Sequence, residues 1–232
     1  MNDITIASLE QFLNSITGFS DVLFYRGVSD IKYPLIPSAG RFGIEDEKTQ
    51  TQFERSLLTE FIRKAPIYLA NSPTNDLDWM ILAQHHGIPT RLLDWSFNPL
   101  VALFFAVESD KECDCAVYMS YLYSGIANPR TFDIIFSKNV FTPITPNFTH
   151  QRYVNQQSLF TLQSDPTKFD SSKISTRFII PYAVKKVIRW KLRRMGITKS
   201  FIYPSLDSLS YDVVQVHKLS YESYFKKIAY DS

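Results

Sequence analysis

The sequence predicts a single α+β domain in which a small, split, twisted sheet is flanked by helices. Three observations support this fold class. The chain has 232 residues, which suits one large domain with a substantial core. It contains both helix-spaced apolar segments and short β-branched or aromatic runs. No repeat, low-complexity tract or linker divides it, so we expect residues 1–232 to form one domain.

Helices are predicted from apolar spacing and from capping residues. In residues 51–65, apolar side chains recur every three to four positions with charged residues between them. Ser8 and Gln11 form a capping box, and Asn98 followed by Pro99 is typical of a helix start. The predicted helices are residues 9–16, 51–65, 76–85, 98–107, 181–195 and 206–217.

Strands are predicted where β-branched and aromatic residues cluster or alternate. Between the helices that end at residue 85 and begin at residue 98, glycine and proline predict a loop. Residues 128–150 mix prolines and asparagines with single apolar residues, which indicates a long irregular excursion of the kind that often borders a site. The predicted strands are residues 22–25, 115–122, 158–162 and 174–180.

Composition narrows the choice of partners and compartment. The formal net charge of +2 is too small to indicate nucleic acid or an anionic membrane by itself. Cys113 and Cys115 are one residue apart in a predicted strand, so an internal disulfide is not expected. No apolar run approaches the roughly 20 residues that cross a bilayer, and no signal-peptide pattern begins the chain. We therefore expect a cytoplasmic protein without a membrane partner.

Three sequence blocks carry a family resemblance. They are FYRG at Phe24–Gly27, the long block WMILAQHHGIPTRLLDWSFNPLVALFFA at Trp79–Ala106, and RYVNQQSLFTL at Arg152–Leu162. Together they resemble the FRG domain family. With GITKSFIYPSLDSL at Gly196–Leu209, the match is expected over about Phe19–Leu209. The resemblance alone implies no activity, so the function has to be inferred from the site.

A more distant resemblance is to ADP-ribosyltransferases of the arginine-serine-glutamate type, and it implies an ADP-ribosyltransferase-like fold with NAD as substrate. Arg26 at a strand end would bind phosphate oxygens. Ser96 would orient the ribose, and Gln156 would hold its 2′-hydroxyl. The chain has amides where such enzymes have a glutamate, so Asp94 is the leading candidate for the missing carboxylate and Glu108 the next.

The remaining candidate site residues surround these positions. His86, beside His85 at a helix end, is a candidate acid or base. No HExxH or paired CxxC motif accompanies the histidines, so no metal is expected. The residues predicted to bind the nucleotide are Tyr25, Arg26, Gly27, Arg91, Trp95, Arg152 and Phe160.

Structural alternatives stay open for several of these residues. Arg26 could instead pair with Asp94 to join two elements, and Arg91 could brace its loop through an ion pair. The basic segment Lys185–Arg194 could meet nucleic-acid phosphates or form a solvated helix face.

The function predicted from the sequence is an NAD-dependent ADP-ribosyltransferase that modifies a macromolecular acceptor, as a bacterial toxin or phage-defence effector would. One alternative is a non-enzymatic module that binds nucleic acid or protein. Another is a hydrolase of a glycosidic or phosphate bond, in which Asp94 acts with His85 or His86.

Overall fold

A mixed sheet of seven strands lies at the centre of the described structure, a computed structural model that describes residues 1–18, 22–122, 126–127, 130–136, 141–147 and 151–231. The strand order is β1-β7-β4-β2-β3-β6-β5. Among the named strands, β1 and β7 pair in parallel, and every other neighbouring pair is antiparallel. The strands are β1 (Asn2–Thr5), β2 (Leu23–Val28), β3 (Leu92–Ser96), β4 (Cys115–Tyr121), β5 (Thr142–Ile144), β6 (Ser158–Leu162) and β7 (Ile174–Ile180).

Helices connect and cover these strands, and short 3-10 segments occupy Ser38–Phe42, Ala65–Tyr68 and Ser171–Lys173. The predicted mixture of helices and strands is confirmed. The helices are α1 (Leu9–Ile16), α2 (Glu47–Lys64), α3 (Asp76–His85), α4 (Pro99–Val107), α5 (Phe132–Ile135), α6 (Gln151–Asn155), α7 (Tyr182–Arg194), α8 (Lys199–Ile202) and α9 (Leu206–Asp231).

The sheet is larger than predicted and consists of two groups of strands. Strands β1, β7, β4 and β2 form one group, and β3, β6 and β5 form the other. The two groups meet at a single paired position, Tyr25 opposite Ser96, whereas β2 and β4 are paired over six positions. Beyond Tyr25 and Ser96, β2 and β3 are no longer paired, and this opening positions the cleft described below.

Separate apolar clusters pack against the two groups of strands. The largest joins α1, α4 and α7 to one face of β2, β4 and β7, with Phe12 and Phe178 in edge-to-face contact at 5.2 Å between ring centroids. A second cluster packs α2 and α3 against β3, β5 and β6. A third contains Phe24 and Trp95, whose rings are perpendicular at 4.9 Å. Burial of this apolar surface is the main force that fixes the positions of the helices.

Several local predictions agree with the structure. Helix α1 has the predicted bounds, and its capping box is formed: Ser8 accepts from the Gln11 N–H at 3.2 Å, and Gln11 accepts from the Ala7 N–H at 2.7 Å. Helix α4 begins after the Asn98 cap with proline at its first position. Strands β6 and β7 also have the predicted bounds.

Other predictions were wrong in ways that the packing explains. Residues 92–96, predicted as part of a loop, form the buried strand β3, because four of the five residues are shielded by neighbouring elements. Within the predicted excursion at residues 128–150, α5 and β5 are formed, and the other positions lie partly outside the described residues. Helix α9 continues to Asp231 instead of ending near residue 217.

No helix in the described part of the chain has both the length and the apolar character needed to cross a membrane.

Candidate functional site

The main cleft opens where β2 and β3 part. It encloses a cavity of about 370 Å³, within the size range of small-molecule binding sites. Side chains from α3 and α4 line the cleft, and the rest of its wall includes residues in and near α6 and Tyr203.

Nine of the eleven residues proposed from the sequence line this cleft. They come from three distant sequence regions, so the fold brings together what the three sequence blocks suggested. The nine are Tyr25, Arg26, Gly27, Asp94, Trp95, Ser96, Arg152, Gln156 and Phe160.

Arg26 and Asp94 meet at the opening between the strands. The Arg26 Nη1 donates to the backbone carbonyl of Asp94 at 2.5 Å and lies 3.8 Å from its carboxylate Oδ2. The Arg26 side chain is 16% exposed, whereas that of Asp94 is 63% exposed. The Arg26 Nε is buried and has no partner among the described residues. Burial lowers the pKa of the Arg26 guanidinium, Asp94 opposes this shift and Arg41 adds to it. Arg26 therefore joins β2 to β3 through its bond to Asp94, and its buried Nε is left without a partner among the described residues.

The charge on the cleft wall is predominantly positive. Arg26, Arg41 and Arg152 line it, and Asp94 is the one carboxylate among its described lining residues. Three guanidinium groups against one carboxylate give a formal excess of two positive charges. Guanidinium groups match the geometry of phosphate oxygens, so the wall suits an anionic ligand.

Aromatic rings form much of the remaining wall. Tyr153 and Phe160 contact each other edge to face at 6.5 Å between centroids, and the Arg152 guanidinium lies 4.9 Å from the Tyr203 ring centroid. Burial raises the pKa of Tyr153 to about 12 and raises that of Tyr203. Both phenols are therefore neutral hydrogen-bonding groups near pH 7.

The Ser96 hydroxyl is already engaged inside the protein. It donates to the backbone carbonyl of Gln156 at 2.6 Å and accepts from the Asn98 N–H at 2.9 Å. The Gln156 side-chain amide donates to the carbonyl of Ile202 at 3.0 Å. The bonds of Ser96 and Gln156 tie the start of α4 and the α8 region to the cleft wall, so both residues shape the cleft.

Trp95 and Gly27 contribute mainly through packing. The Trp95 indole N–H donates to Thr161 at 2.9 Å, and its ring packs in the third apolar cluster. A Cβ atom on Gly27 would lie 1.9 Å from the Ala102 carbonyl oxygen and 2.7 Å from the Ala106 nitrogen. Glycine is therefore required for the close approach of β2 to α4.

Arg91 does not line the cleft, which corrects its proposed role as a ligand-binding residue. Its side chain is 1% exposed, and its Nε donates to Glu54 at 2.9 Å. Its guanidinium also stacks 4.1 Å from the Phe136 ring centroid. These contacts match the loop-bracing alternative, since all of them lie within the protein.

His86 is also outside the cleft, and its neighbour His85 lines it instead. Helix α3 ends at His85, and the exposed His86 caps it through its backbone N–H. The His85 ring lies 5.6 Å from the Tyr153 ring centroid. Of the two histidines, His85 is therefore the one that can reach a ligand.

The second carboxylate candidate, Glu108, lies in a separate small pocket of about 120 Å³ beside Arg189 and Lys199. Burial raises the pKa of its carboxyl group, and these two cations oppose the shift.

Within the described residues, no group of three or more histidine, cysteine, aspartate or glutamate side chains has the geometry of a metal site.

Much of the basic segment at Lys185–Arg194 is engaged in internal contacts. Lys185 is buried, and its Nζ donates to the carbonyls of Lys111 at 3.1 Å and Cys113 at 3.3 Å. Arg189 donates to Val107 and Ser109 carbonyls, at 2.7 and 2.8 Å, and pairs with Asp110. Lys191 pairs with Glu10 at 2.5 Å.

Sequence reasoning did not identify several further lining residues, among them Gln84, Arg41 and Tyr203. Gln84 immediately precedes the two histidines, so its place in the second sequence block was an available signal. Arg41 lies in the 3-10 segment Ser38–Phe42, and Tyr203 precedes a proline near the C-terminal helices. Arg41 lies outside the segments that carry the resemblance, and Tyr203 lies in the C-terminal one without having been proposed as a site residue; tertiary folding brings both to the cleft.

The fold and the site define a mixed α/β protein whose cleft lies at a split in its sheet and is lined by arginines. Residues 21–115 match the family model of the FRG domain, so this part of the chain is similar to FRG domains. The match contains β2, α2, α3, β3 and α4, and the third sequence block lies beyond it. No curated protein and no solved structure matches the chain.

Proposed function

We propose that the cleft binds NAD and that the protein transfers ADP-ribose from it to a macromolecular acceptor. The observation that carries this proposal is the meeting of Arg26 and Asp94 at the opening between β2 and β3, in a wall that holds three arginines. The arginines supply cations for a pyrophosphate, and Asp94 supplies a carboxylate for the reacting ribose.

The binding contacts follow from the chemistry of the wall. Arg26, Arg41 and Arg152 supply positive charge that a diphosphate neutralises. The rings of Tyr153, Phe160 and Tyr203 provide flat apolar surfaces for adenine or nicotinamide. A ligand with two phosphates and two aromatic rings contacts both the arginines and the aromatic side chains of the cleft.

The reaction breaks the bond between C1′ of the ribose and the nicotinamide nitrogen. The electron pair of that bond leaves with nicotinamide, and a nucleophilic atom of the acceptor forms a new bond to C1′ and loses a proton. Positive charge develops on the ribose in the transition state, and a preorganised carboxylate stabilises such charge. Asp94 takes this role in the proposal, and His85 is a lining residue whose imidazole is suited to accept the proton.

An assay with labelled NAD tests the proposal. Purified protein is incubated with NAD labelled on the adenylate and a cell lysate, and both nicotinamide release and labelled macromolecules are measured. Asp94→Asn keeps the size of the side chain and removes its charge, so we expect at least about a hundredfold loss of nicotinamide release. Arg26→Lys should raise the KM for NAD, because an ammonium cannot form the two-pronged contact.

Two control variants accompany these changes. Asp133→Asn removes an exposed carboxylate on α5, and Arg63→Lys alters an exposed arginine on α2; both should behave like the wild type. Nicotinamide release without labelled acceptor would identify NAD hydrolysis instead of transfer. If the wild-type protein neither binds NAD nor releases nicotinamide, the proposal is wrong.

A further inference from the structure

A chain of hydrogen bonds leads from the start of β3 to the carboxylate of Asp94. The Leu92 N–H donates to the Thr90 hydroxyl at 3.2 Å. The Thr90 hydroxyl donates to Oε1 of Gln84. The Gln84 Nε2 then donates to Asp94 Oδ1 at 2.8 Å. The chain thus connects a buried backbone group with the single carboxylate among the described lining residues.

The direction of this chain is set by its last member. A carboxylate can only accept, so the Gln84 NH₂ group faces Asp94 and the Gln84 oxygen faces Thr90. The Thr90 hydroxyl donates its proton to that oxygen and accepts from the Leu92 N–H. An amide that could otherwise turn around has one favourable orientation here.

The Asp94 carboxylate needs such support because it is exposed. Its side chain is 63% exposed, and its ion-pair contact with Arg26 is long, at 3.8 Å to Oδ2. The Gln84 bond to Oδ1 is the shorter of these two contacts. Without it, the carboxylate would gain rotational freedom toward the solvent.

We propose that Gln84 is a positioning residue that holds the Asp94 carboxylate toward the cleft, and that Thr90 fixes the orientation of the Gln84 amide. This inference rests on the proposed function, since it gives the positioned carboxylate a role at the reacting ribose. Oδ1 accepts from the amide, and Oδ2 lies 3.8 Å from Arg26 Nη1.

The variant Gln84→Glu separates positioning from a general structural role. The glutamate keeps the length of the side chain and an oxygen for Thr90, but it places an acceptor against Oδ1 where Nε2 was a donor. We expect kcat for nicotinamide release to fall about tenfold or more in Gln84→Glu. Gln84→Met removes the donor without adding a charge to the cleft, and it should lower kcat with the KM for NAD changed by less than about twofold. Thr90→Val should lower kcat by a smaller factor, because it frees the amide to turn without placing an acceptor against Asp94. It also removes the acceptor of the Leu92 N–H, so its free energy of unfolding is measured alongside. Gln11→Glu, in the α1 capping box, is the matched control and should leave kcat unchanged.

Two measurements that need no turnover separate this inference from the proposed function. ADP-ribose affinity should be the same for the wild type and for Gln84→Met, which adds no charge to the cleft, and crystal structures should show the Asp94 carboxylate displaced in Gln84→Glu and not in the wild type. An undisplaced carboxylate, or equal losses in affinity and kcat, would overturn the positioning role. A wild type that binds ADP-ribose but releases no nicotinamide would overturn the transfer reaction, while the crystal structures would still decide the positioning of Asp94.

Discussion

Arg91 and Glu54 form an ion pair inside the protein, with 2.9 Å between Arg91 Nε and Glu54 Oε2. Their side chains are 1% and 0% exposed. The second carboxylate oxygen of Glu54 accepts from the Arg91 backbone N–H at 2.7 Å. Burial raises the pKa of the Glu54 carboxyl, and Arg91 opposes the shift through its charge and hydrogen bonds. The ion pair therefore joins α2 to Arg91, the residue that immediately precedes β3. Asp94 lies in this strand.

Replacing Arg91 with methionine should destabilise the fold. Arg91→Met leaves the Glu54 carboxylate buried without its partner, and breaking a buried ion pair in this way costs about 3–5 kcal/mol. We expect a loss of this size in the free energy of unfolding, measured by urea denaturation. Arg63→Met, which removes an arginine from an exposed pair on α2, should leave the free energy of unfolding nearly unchanged. Equal effects of the two variants would contradict the structural role of Arg91.

A methyl group at position 27 should also destabilise the protein. In Gly27→Ala the added Cβ would meet the Ala102 carbonyl oxygen at 1.9 Å, so β2 and α4 have to move apart. Overpacking of this kind costs about 1–3 kcal/mol and sometimes more. Thermal denaturation would measure the loss, and ligand affinity should fall as well because β2 and α4 both line the cleft.

The matched control is Gly18→Ala. Among the residues that the structure describes, no atom lies within 4 Å of the Cβ that this change would add, so we expect a melting temperature close to that of the wild type. A drop as large as that of Gly27→Ala would show that the loss of glycine flexibility, and not the contact with α4, causes the effect.

Helix α7 provides a third prediction, which separates internal from exposed basic residues. Arg189→Gln removes charged hydrogen bonds to the carbonyls of Val107 and Ser109, and such bonds contribute about 1.5–3 kcal/mol each in favourable settings. We expect the free energy of unfolding to fall by about 2 kcal/mol or more in chemical denaturation. Arg194→Gln should change the free energy of unfolding little, because the Arg194 side chain is exposed and its guanidinium lies on the Trp190 ring, 4.4 Å from the centroid.

These variants also show how nucleic-acid binding through α7 has to be tested. Replacing Lys185 or Arg189 disturbs the fold, so a loss of binding in those variants would not identify a contact. Lys186, Arg193 and Arg194 are the appropriate positions. Salt-dependent RNA or DNA binding that their joint replacement weakens would favour the binding-module alternative.

Local sequence signals were sufficient for elements whose caps and spacing are encoded nearby. Helix α1 is specified by Ser8 and Gln11, and helix α4 by Asn98 and Pro99. In both cases the side chain that caps the helix lies within three residues of the backbone group that it satisfies. Such contacts form without information from the rest of the chain.

Strand β3 could not be predicted in this way, because its strand character depends on partners far away in sequence. Asp94 pairs with Phe160 across the sheet, and no local period marks the segment as extended. The same reason explains the candidate site. The sequence blocks predicted that Arg26, Asp94 and Arg152 converge, but Arg41 and Tyr203 reach the cleft only through tertiary packing.

The ion pair between Glu10 and Lys191 gives a prediction about acid stability. It joins α1 to α7 at 2.5 Å between Oε1 and Nζ. The hydrogen bond from Lys191 lowers the pKa of the Glu10 carboxyl from 4.5 to about 2. Because the folded-state pKa is below the unfolded value, the pair contributes stability above pH 4.5, and this contribution is lost as the pH falls through about 2.

We therefore expect Glu10→Gln to lower the melting temperature modestly near pH 6 and to have a much smaller effect near pH 2, where the wild-type carboxyl takes up its proton. Melting curves from pH 2 to pH 6 measure the difference between the two proteins. Raised salt should reduce the difference at pH 6, because both side chains are partly exposed. A difference that persists unchanged at pH 2 would mean that the substitution alters the packing of α1 instead of removing a charge.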